Sequence, residues 1–324
     1  PHVPMACAIR GELERLNNEQ LFDLLEKIGE DEPDQEKLLL VVQGWEALCD
    51  PRRPRDWHWA GCAFRVGTAW YLSGDHAHAA PAFQEAAQVY RECDENDIAG
   101  RALTAAAWSL EELGHLPEAV AAHAQARDDH LKAEGYDLAI DRAIDGGRLL
   151  KRIGKLEDSL NSYEVALTLL GAHPPVSVRK LVTVHIESGE VHHALSQSTE
   201  SLRHYLAACD AVDDIRSSAD PAKRQQLPDG LASQAYLSAL GTCIEMAARA
   251  RCEGDAEGAD RLLAQGRDLV ERSQVSDLID RLMEMLPRSG DDEQPAPSLP
   301  AVVRLDFVEE IRRLRQRPGQ MRLL

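Results

Sequence analysis

The chain has 324 residues, of which 44% are apolar, 28% charged and 5% aromatic, with a formal net charge of -19. A core filled mainly by Ala, Leu and Val argues against a strand-rich fold, which draws on β-branched and aromatic residues. The excess of 55 acidic over 36 basic residues argues against a general binder of nucleic acid or anionic lipid, because phosphate recognition needs clustered cations.

In chain order, residues 12–29 are predicted as a helix whose apolar stripe is Leu21, Leu24, Leu25 and Ile28. Residues 34–49 form a second, with Leu38, Val41, Val42, Trp45 and Leu48 on one side. The run Asp50-Pro51-Arg52-Arg53-Pro54 ends it. Residues 1–57 are therefore expected to be an N-terminal cap or a divergent extra repeat. They are too acidic, and lack the turn-separated recognition helix, for a helix-turn-helix DNA reader.

From residue 58 onward a repeat dominates. Ser73-Gly74-Asp75, Leu113-Gly114-His115 and Ile153-Gly154-Lys155 fall 40 residues apart, each between two amphipathic stretches, and Glu253-Gly254-Asp255 is a turn of the same kind. Upstream of each turn sits a small pair: Val66-Gly67, Ala106-Ala107, Gly146-Gly147, Met246-Ala247. Downstream comes a small, a larger and a small residue: Ala79, Phe83, Ala86; Ala119, His123, Ala126; Ser159, Tyr163, Ala166; Ala259, Leu263, Gly266. Small residues before the turn let a second helix approach, and the larger residue fills the gap between the two. Glycine supplies the left-handed backbone of the turn. A degenerate copy places Gly189 at the small position, Ser196 at the turn, and Ser201, Tyr205 and Ala208 after it. Five hairpins thus run from about residue 58 to about residue 272, and none can bury its apolar face without stacking on a neighbour.

This pattern, best seen in residues 63–75 with Ala79, Phe83 and Ala86, resembles the tetratricopeptide repeat (TPR), in a version with about 40 residues per copy. The resemblance covers roughly two-thirds of the chain. It implies an all-α fold, a right-handed superhelical solenoid of about five helical hairpins with helical caps. The expected organisation is a repeat array over residues 58–286, a flexible linker over 287–300 and an amphipathic helix over 301–324. A polar loop is expected from residue 217 to 230 and a last capping helix from 275 to 286.

By the same resemblance, the first helix of each hairpin lines a concave groove. The carried-over positions include Arg65 in the first copy, Arg101 and Trp108 in the second, and Asp145, Arg148 and Arg152 in the third. Glu187, Glu190 and His193 follow in the fourth, and Arg251 in the fifth. The Lys and Asn clamp that chaperone-binding TPR proteins use for a C-terminal carboxylate is not reproduced at the equivalent positions Phe64, Thr68, Arg101 and Thr104. The expected function is non-enzymatic: a protein- or peptide-binding adaptor or regulatory subunit. One alternative is a peptide-sensing regulator that closes on a short signal peptide.

The segment 301–324 holds six Arg against three acids, with Val303, Phe307, Ile311 and Leu314 at helical spacing. Phe307, Ile311 and Leu314 are expected to dock this helix, either as a permanent cap or as a plug in the groove of its own or another copy. A second alternative, an enzyme or metal protein, centres on Glu187, Glu190 and His193, because Glu190-x-x-His193 has the i,i+3 spacing of carboxylate-bridged metal helices. No second such helix accompanies it, and His185 and His192 read as packing residues. No Gly-rich phosphate loop, HExxH or GxSxG motif occurs, so no catalytic residue, cofactor or metal is assigned. The seven cysteines, odd in number and without a CxxC pair, are expected to be reduced and mostly buried in a cytoplasmic protein that binds neither nucleic acid nor membrane.

Overall fold

The computed structural model describes residues 12–26, 35–175, 177–218 and 227–273. Among them are twelve helices and no strand: α1 (Asn18–Glu26), α2 (Gln35–Leu48), α3 (Trp57–Leu72), α4 (His76–Glu92), α5 (Asn96–Glu112), α6 (Leu116–Lys132), α7 (Tyr136–Arg152), α8 (Leu156–Ala172), α9 (Val178–Ala194), α10 (Ser198–Ser217), α11 (Asp229–Cys252) and α12 (Ala256–Ser273). The chain divides into two compact units, Pro1–Pro174 and Pro175–Leu324. Three hairpins, α3/α4, α5/α6 and α7/α8, stand in the first unit, and two, α9/α10 and α11/α12, in the second. The architecture is a TPR-type helical repeat. The expected cap over 275–286, the linker and the C-terminal helix with Phe307, Ile311 and Leu314 lie outside the described residues.

One turn geometry generates this fold. After α3, the amide of Asp75 donates to the Trp70 carbonyl at 2.8 Å and that of Gly74 to Tyr71 at 3.0 Å. Asp75 then accepts the first helical bond of α4, from Ala79, at 3.1 Å. The residue that closes one helix therefore opens the next, and the orphan carbonyls of the helix end are satisfied at once. The same pair of bonds follows α4, α5, α6, α7, α9 and α11. Within hairpins the left-handed residue is Gly74, Gly114, Gly154 or Gly254, with φ between 76° and 86°. Between hairpins it is Asp94 (φ 65°) or Glu134 (φ 56°). Ser196, at φ 60°, takes it in the fourth hairpin, as the degenerate copy predicts.

Inside the first, third and fourth hairpins an aromatic ring lies against a bare backbone. A Cβ added to Gly147 would stand 2.5 Å from the Tyr163 ring, one on Gly189 2.5 Å from Tyr205, and one on Gly67 2.9 Å from Phe83. Tyr163 is completely buried. Ser159 and Ser201 add a second tie, donating to the Gly147 and Gly189 carbonyls at 2.7 and 2.8 Å. In the second hairpin Ala107 and His123 take these places, both fully buried. The last hairpin departs from the expectation. Leu263 is only half-buried, and the close approach is instead between Gly266 and Leu240, whose Cδ1 would meet an added Cβ at 3.1 Å.

The first predicted helix, over residues 12–29, is broken near its start, and its residues 27–29 lie outside the described residues. Asn17 interrupts it by capping α1, accepting from the Gln20 amide at 2.8 Å while the Gln20 side chain accepts from the Asn17 amide at 3.1 Å. This reciprocal box starts a new helix rather than continuing the old one. α1 and α2 both pack on α3, the first helix of the first hairpin. Phe22 of α1 lies over Gly61 of α3, 2.6 Å from where a Cβ would stand. Arg53 pins this N-terminal region, donating to the carbonyls of Ala47 and Leu13 and to the Asn18 side chain. In the second unit, Arg272 of α12 bridges Asp210 and Asp213 of α10 at 2.6 and 2.7 Å, and Asp213 also accepts from the Tyr236 hydroxyl of α11.

The ring-on-glycine contact predicts opposite signs for two glycines of the second unit. Gly189→Ala forces the methyl into Tyr205, and overpacking of about 1–3 kcal/mol outweighs a helix-propensity gain of about 0.5–1 kcal/mol. Gly241 of α11 has nothing within 4 Å of an added Cβ, so Gly241→Ala is expected to stabilise by that propensity gain alone. Denaturant midpoints of the two variants check this.

Candidate functional site

In the first unit the first helices α3, α5 and α7 share one face, and side chains bridge α5 to α7 directly. Arg152 reaches from α7 to Glu111 of α5 at 3.4 Å, and Glu111 also meets Nε2 of the buried His123 at 3.2 Å. Trp108 of α5 is 45% exposed. The guanidinium of Arg142, on α7, lies 5.8 Å from the centre of its ring. Asp145 pairs with Arg142 at 3.1 Å and with Arg148 at 3.8 Å. The structure thus gathers four predicted residues, Trp108, Asp145, Arg148 and Arg152, into one patch of indole, guanidinium and carboxylate.

The other two predicted residues of this unit sit apart from the patch. Arg65 is half-buried, paired with Glu26 at 2.8 Å and stacked on Phe22 at 5.1 Å. It is engaged by α1. Arg101 is exposed and paired with Asp97 on its own helix at 3.0 Å. In the second unit, Glu190 accepts from Gln234 at 3.3 Å, His193 lies 3.7 Å from Glu245, and Arg251 lies 3.7 Å from Asp260. Glu187, on α9, is half-buried and has partners of its own. Glu190 and His193 each reach across from α9 to α11. No group of three or more His, Cys, Asp or Glu side chains suited to a metal ion occurs among the described residues.

Two features escaped the sequence. The first is Arg142, only 9% exposed. Its Nε and Nη1 have no hydrogen-bond partner among the described residues. Its repeat register is held by Cys62 in the first hairpin and Ala102 in the second, both fully buried, and aligning the copies at that position would have exposed the departure. The second is His204 of α10, which joins the expected packing residues His185 and His192 in a cluster. His185 Nδ1 is 3.1 Å from His204 Nδ1, and His192 stacks on the His204 ring at 5.1 Å. Arg203 lies 3.2 Å from His204 Nε2. Burial, with Arg203 and the two other imidazoles adding to it, pushes His204 down to about 4. Burial and Arg203 also lower His185. In the first unit, burial lowers His130 against the pull of Asp97.

Of the six cysteines described, Cys62, Cys209 and Cys243 are buried, whereas Cys49, Cys93 and Cys252 are exposed. Burial is therefore less general than expected. It pushes the three buried thiols up to about 12, which keeps them protonated and unreactive. No helix among the described residues is long and apolar enough to cross a membrane.

Comparison with protein-family models finds no match, and comparison with curated protein sequences finds none. Solved structures do resemble the chain. BtubC (BKLC) of P. vanneervenii is 12% identical, with a TM-score of 0.47, over 87% of this chain and 96% of that one. A kinesin light chain of Podosopora anserina with nearly identical TPR-like repeats is 12% identical, with a TM-score of 0.46, over 64% and 99%. Aspartyl phosphate phosphatase F of Bacillus subtilis is 11% identical, with a TM-score of 0.42, over 78% and 69%.

The histidine cluster predicts an acid-sensitive fold. His204 and His185 are held neutral when folded but bind protons at the ordinary 6.5 when unfolded. Their contribution is complete above that value and is lost as pH falls from 6.5 towards 4. With His204 at about 4, the loss reaches about 3 kcal/mol, at about 1.4 kcal/mol per pH unit. His204→Asn is expected to flatten the fall in stability between pH 6.5 and 5, where carboxylates are still ionised, leaving the part owed to His185 and His130. Urea melts across that range measure the slope.

Proposed function

We propose that the chain is a non-catalytic protein-binding repeat protein, an adaptor or regulatory subunit, whose ligand lies along the first-helix face of α3, α5 and α7. The observation that carries this is the patch between α5 and α7. A large indole is left 45% exposed there, more than any other tryptophan of the chain, whereas Trp59 and Trp70 are buried. Beside it stand Arg142, Arg148 and Arg152, each already paired with a carboxylate of the same face. Exposed Trp and Arg are the side chains that most often dominate binding energy, because they offer large contact area with few rotors to freeze. Helical-repeat arrays present such surfaces on rigid helices, so a ligand loses little to ordering of the protein.

The C-terminal segment with Phe307, Ile311 and Leu314 is basic. Charge complementarity would send it to the acidic groups Glu187, Glu190 and Glu245 of the second unit rather than to the arginines of the first.

The test is capture of proteins from native lysate by the full chain and by Trp108→Ala. The wild type is expected to retain a specific set and the variant to lose it, weakened by about 2 kcal/mol or roughly thirtyfold. The melting temperature should be unchanged, because the lost side chain is half in solvent. Equal capture by both proteins would place the ligand elsewhere.

A further inference from the structure

We propose that Arg142 is the charge anchor of the α5/α7 face, and that it takes a single carboxylate carried next to an apolar side chain on an extended peptide. This rests on the peptide-binding function above and narrows it to one ligand chemistry.

The argument begins with a cost. Arg142 stands where the two preceding copies bury Cys62 and Ala102, so the fold needs no more than a small apolar group there. A guanidinium has five donors in a planar fork. In this one, Nη2 meets Asp145 at 3.1 Å, while the nine-tenths-buried Nε and Nη1 meet nothing among the described residues. Leaving such donors unmet opposes folding. Among the buried polar groups nearby, Asp129 holds Arg91 and Lys132, while His123 meets Glu111 and His130 lies 3.3 Å from Asp97, each histidine keeping an Nδ1 without a hydrogen bond. Arg142 differs from the two histidines in leaving two donors of a permanent cation unmet, beside a partly exposed indole.

Beside it stands the Trp108 indole, half in solvent, with its ring centre 5.8 Å from the guanidinium carbon. The anchor requires that indole to swing outward, giving a ligand access to the guanidinium with an aromatic wall beside it. A carboxylate entering there makes a charge-assisted pair in a site already shielded from water. The displaced indole then packs on the neighbouring apolar side chain of the ligand.

Charge limits the ligand to one carboxylate. Glu111 and Asp145 lie on this face, and the chain as a whole carries -19. A run of acids or a dianionic phosphate meets repulsion from these groups, whereas one carboxylate gains the guanidinium at little cost. The carboxylate can belong to a Glu or Asp side chain or to a peptide C-terminus, and the experiment separates the two.

Two pooled libraries of short peptides are applied to the full chain, one with a fixed central glutamate between randomised apolar residues, the other with glutamine. Each is made with a free and with an amidated C-terminus. The glutamate library is expected to be retained about tenfold better than its glutamine twin. A retention gain that instead follows the free terminus identifies the terminal carboxylate as the source and supports the same site. Ligand should also shift the side-chain Nε–H resonance of Arg142, assigned by its loss in Arg142→Met. That variant should erase the carboxylate preference while melting no lower than wild type, since it replaces unmet donors with an apolar group of similar length. Arg142→Lys, which keeps the charge but loses the fork, should retain less than half of the preference. Equal retention of every library overturns the carboxylate assignment and leaves peptide binding standing. Retention of none overturns both. A large drop in melting temperature for Arg142→Met, with the preference intact in Arg142→Lys, shows that the arginine is there for the fold and overturns the anchor.

Discussion

The contact on which three of the five hairpins depend is an aromatic ring set against a glycine. Where Tyr163 covers Gly147 and Tyr205 covers Gly189, the two helices of a hairpin approach until no Cβ fits between them. That distance leaves room for only small residues at the neighbouring positions, which is why the core is an alanine lattice: Ala79, Ala86, Ala99, Ala106, Ala119, Ala126, Ala139 and Ala166 are all fully buried. Alanine loses no side-chain entropy on burial and is the strongest helix former. Such a core is therefore cheap to order but gains little apolar area per residue. The few large buried side chains carry the specificity of packing.

Between these contacts the turns act as spacers of fixed length. Each is closed by the same two bonds, with one left-handed residue at its centre, and in the first unit these residues recur at 74, 94, 114, 134 and 154. A helix and its turn thus occupy 20 residues, and any residue in one copy has its counterpart 40 residues later. Asp94, Glu134 and Ser196 take the left-handed backbone without being glycine, at a cost of about 1–2 kcal/mol each. The closing bonds and the start of the next helix offset it.

That regularity explains what could be read in advance. The glycine turns, the small pairs and the rings that fill against them are local and periodic, so the hairpins were legible, including the degenerate copy on Gly189 and Tyr205. Trp108, Asp145, Arg148 and Arg152 were legible because first-helix registers repeat. The less legible features depend on contacts across helices. The capping box of Asn17 and Gln20 breaks the helix predicted from residue 12 by satisfying two amides at a new helix start. Arg65 has the register of a groove residue, but Phe22 and Glu26 of α1 reach it first. The pairing of His185 with His204 joins two helices 19 residues apart in sequence, which no single-helix pattern reveals.

The registers also show where the repeat abandons its own logic. The second hairpin holds His123, Asp129 and His130 where the first holds Phe83, Val89 and Tyr90, and where the third holds Tyr163, Leu169 and Leu170. Arg142 on the adjoining helix α7 follows the same trend. Polar groups buried in one stretch of an otherwise apolar lattice lower stability unless each finds a partner. Most of these do, through Glu111, Arg91 and Asp97. They fix α4, α5 and α6 to one another through directional bonds, which define the helix orientation more sharply than alanine contacts can. A face meant to hold a ligand in one register benefits from that rigidity, because the positions of Trp108 and Arg142 are then set by the scaffold rather than by the ligand. The polar core of the second hairpin and the exposed indole above it are, on this view, two parts of one device: the first supplies the fixed geometry, and the second the contact that uses it.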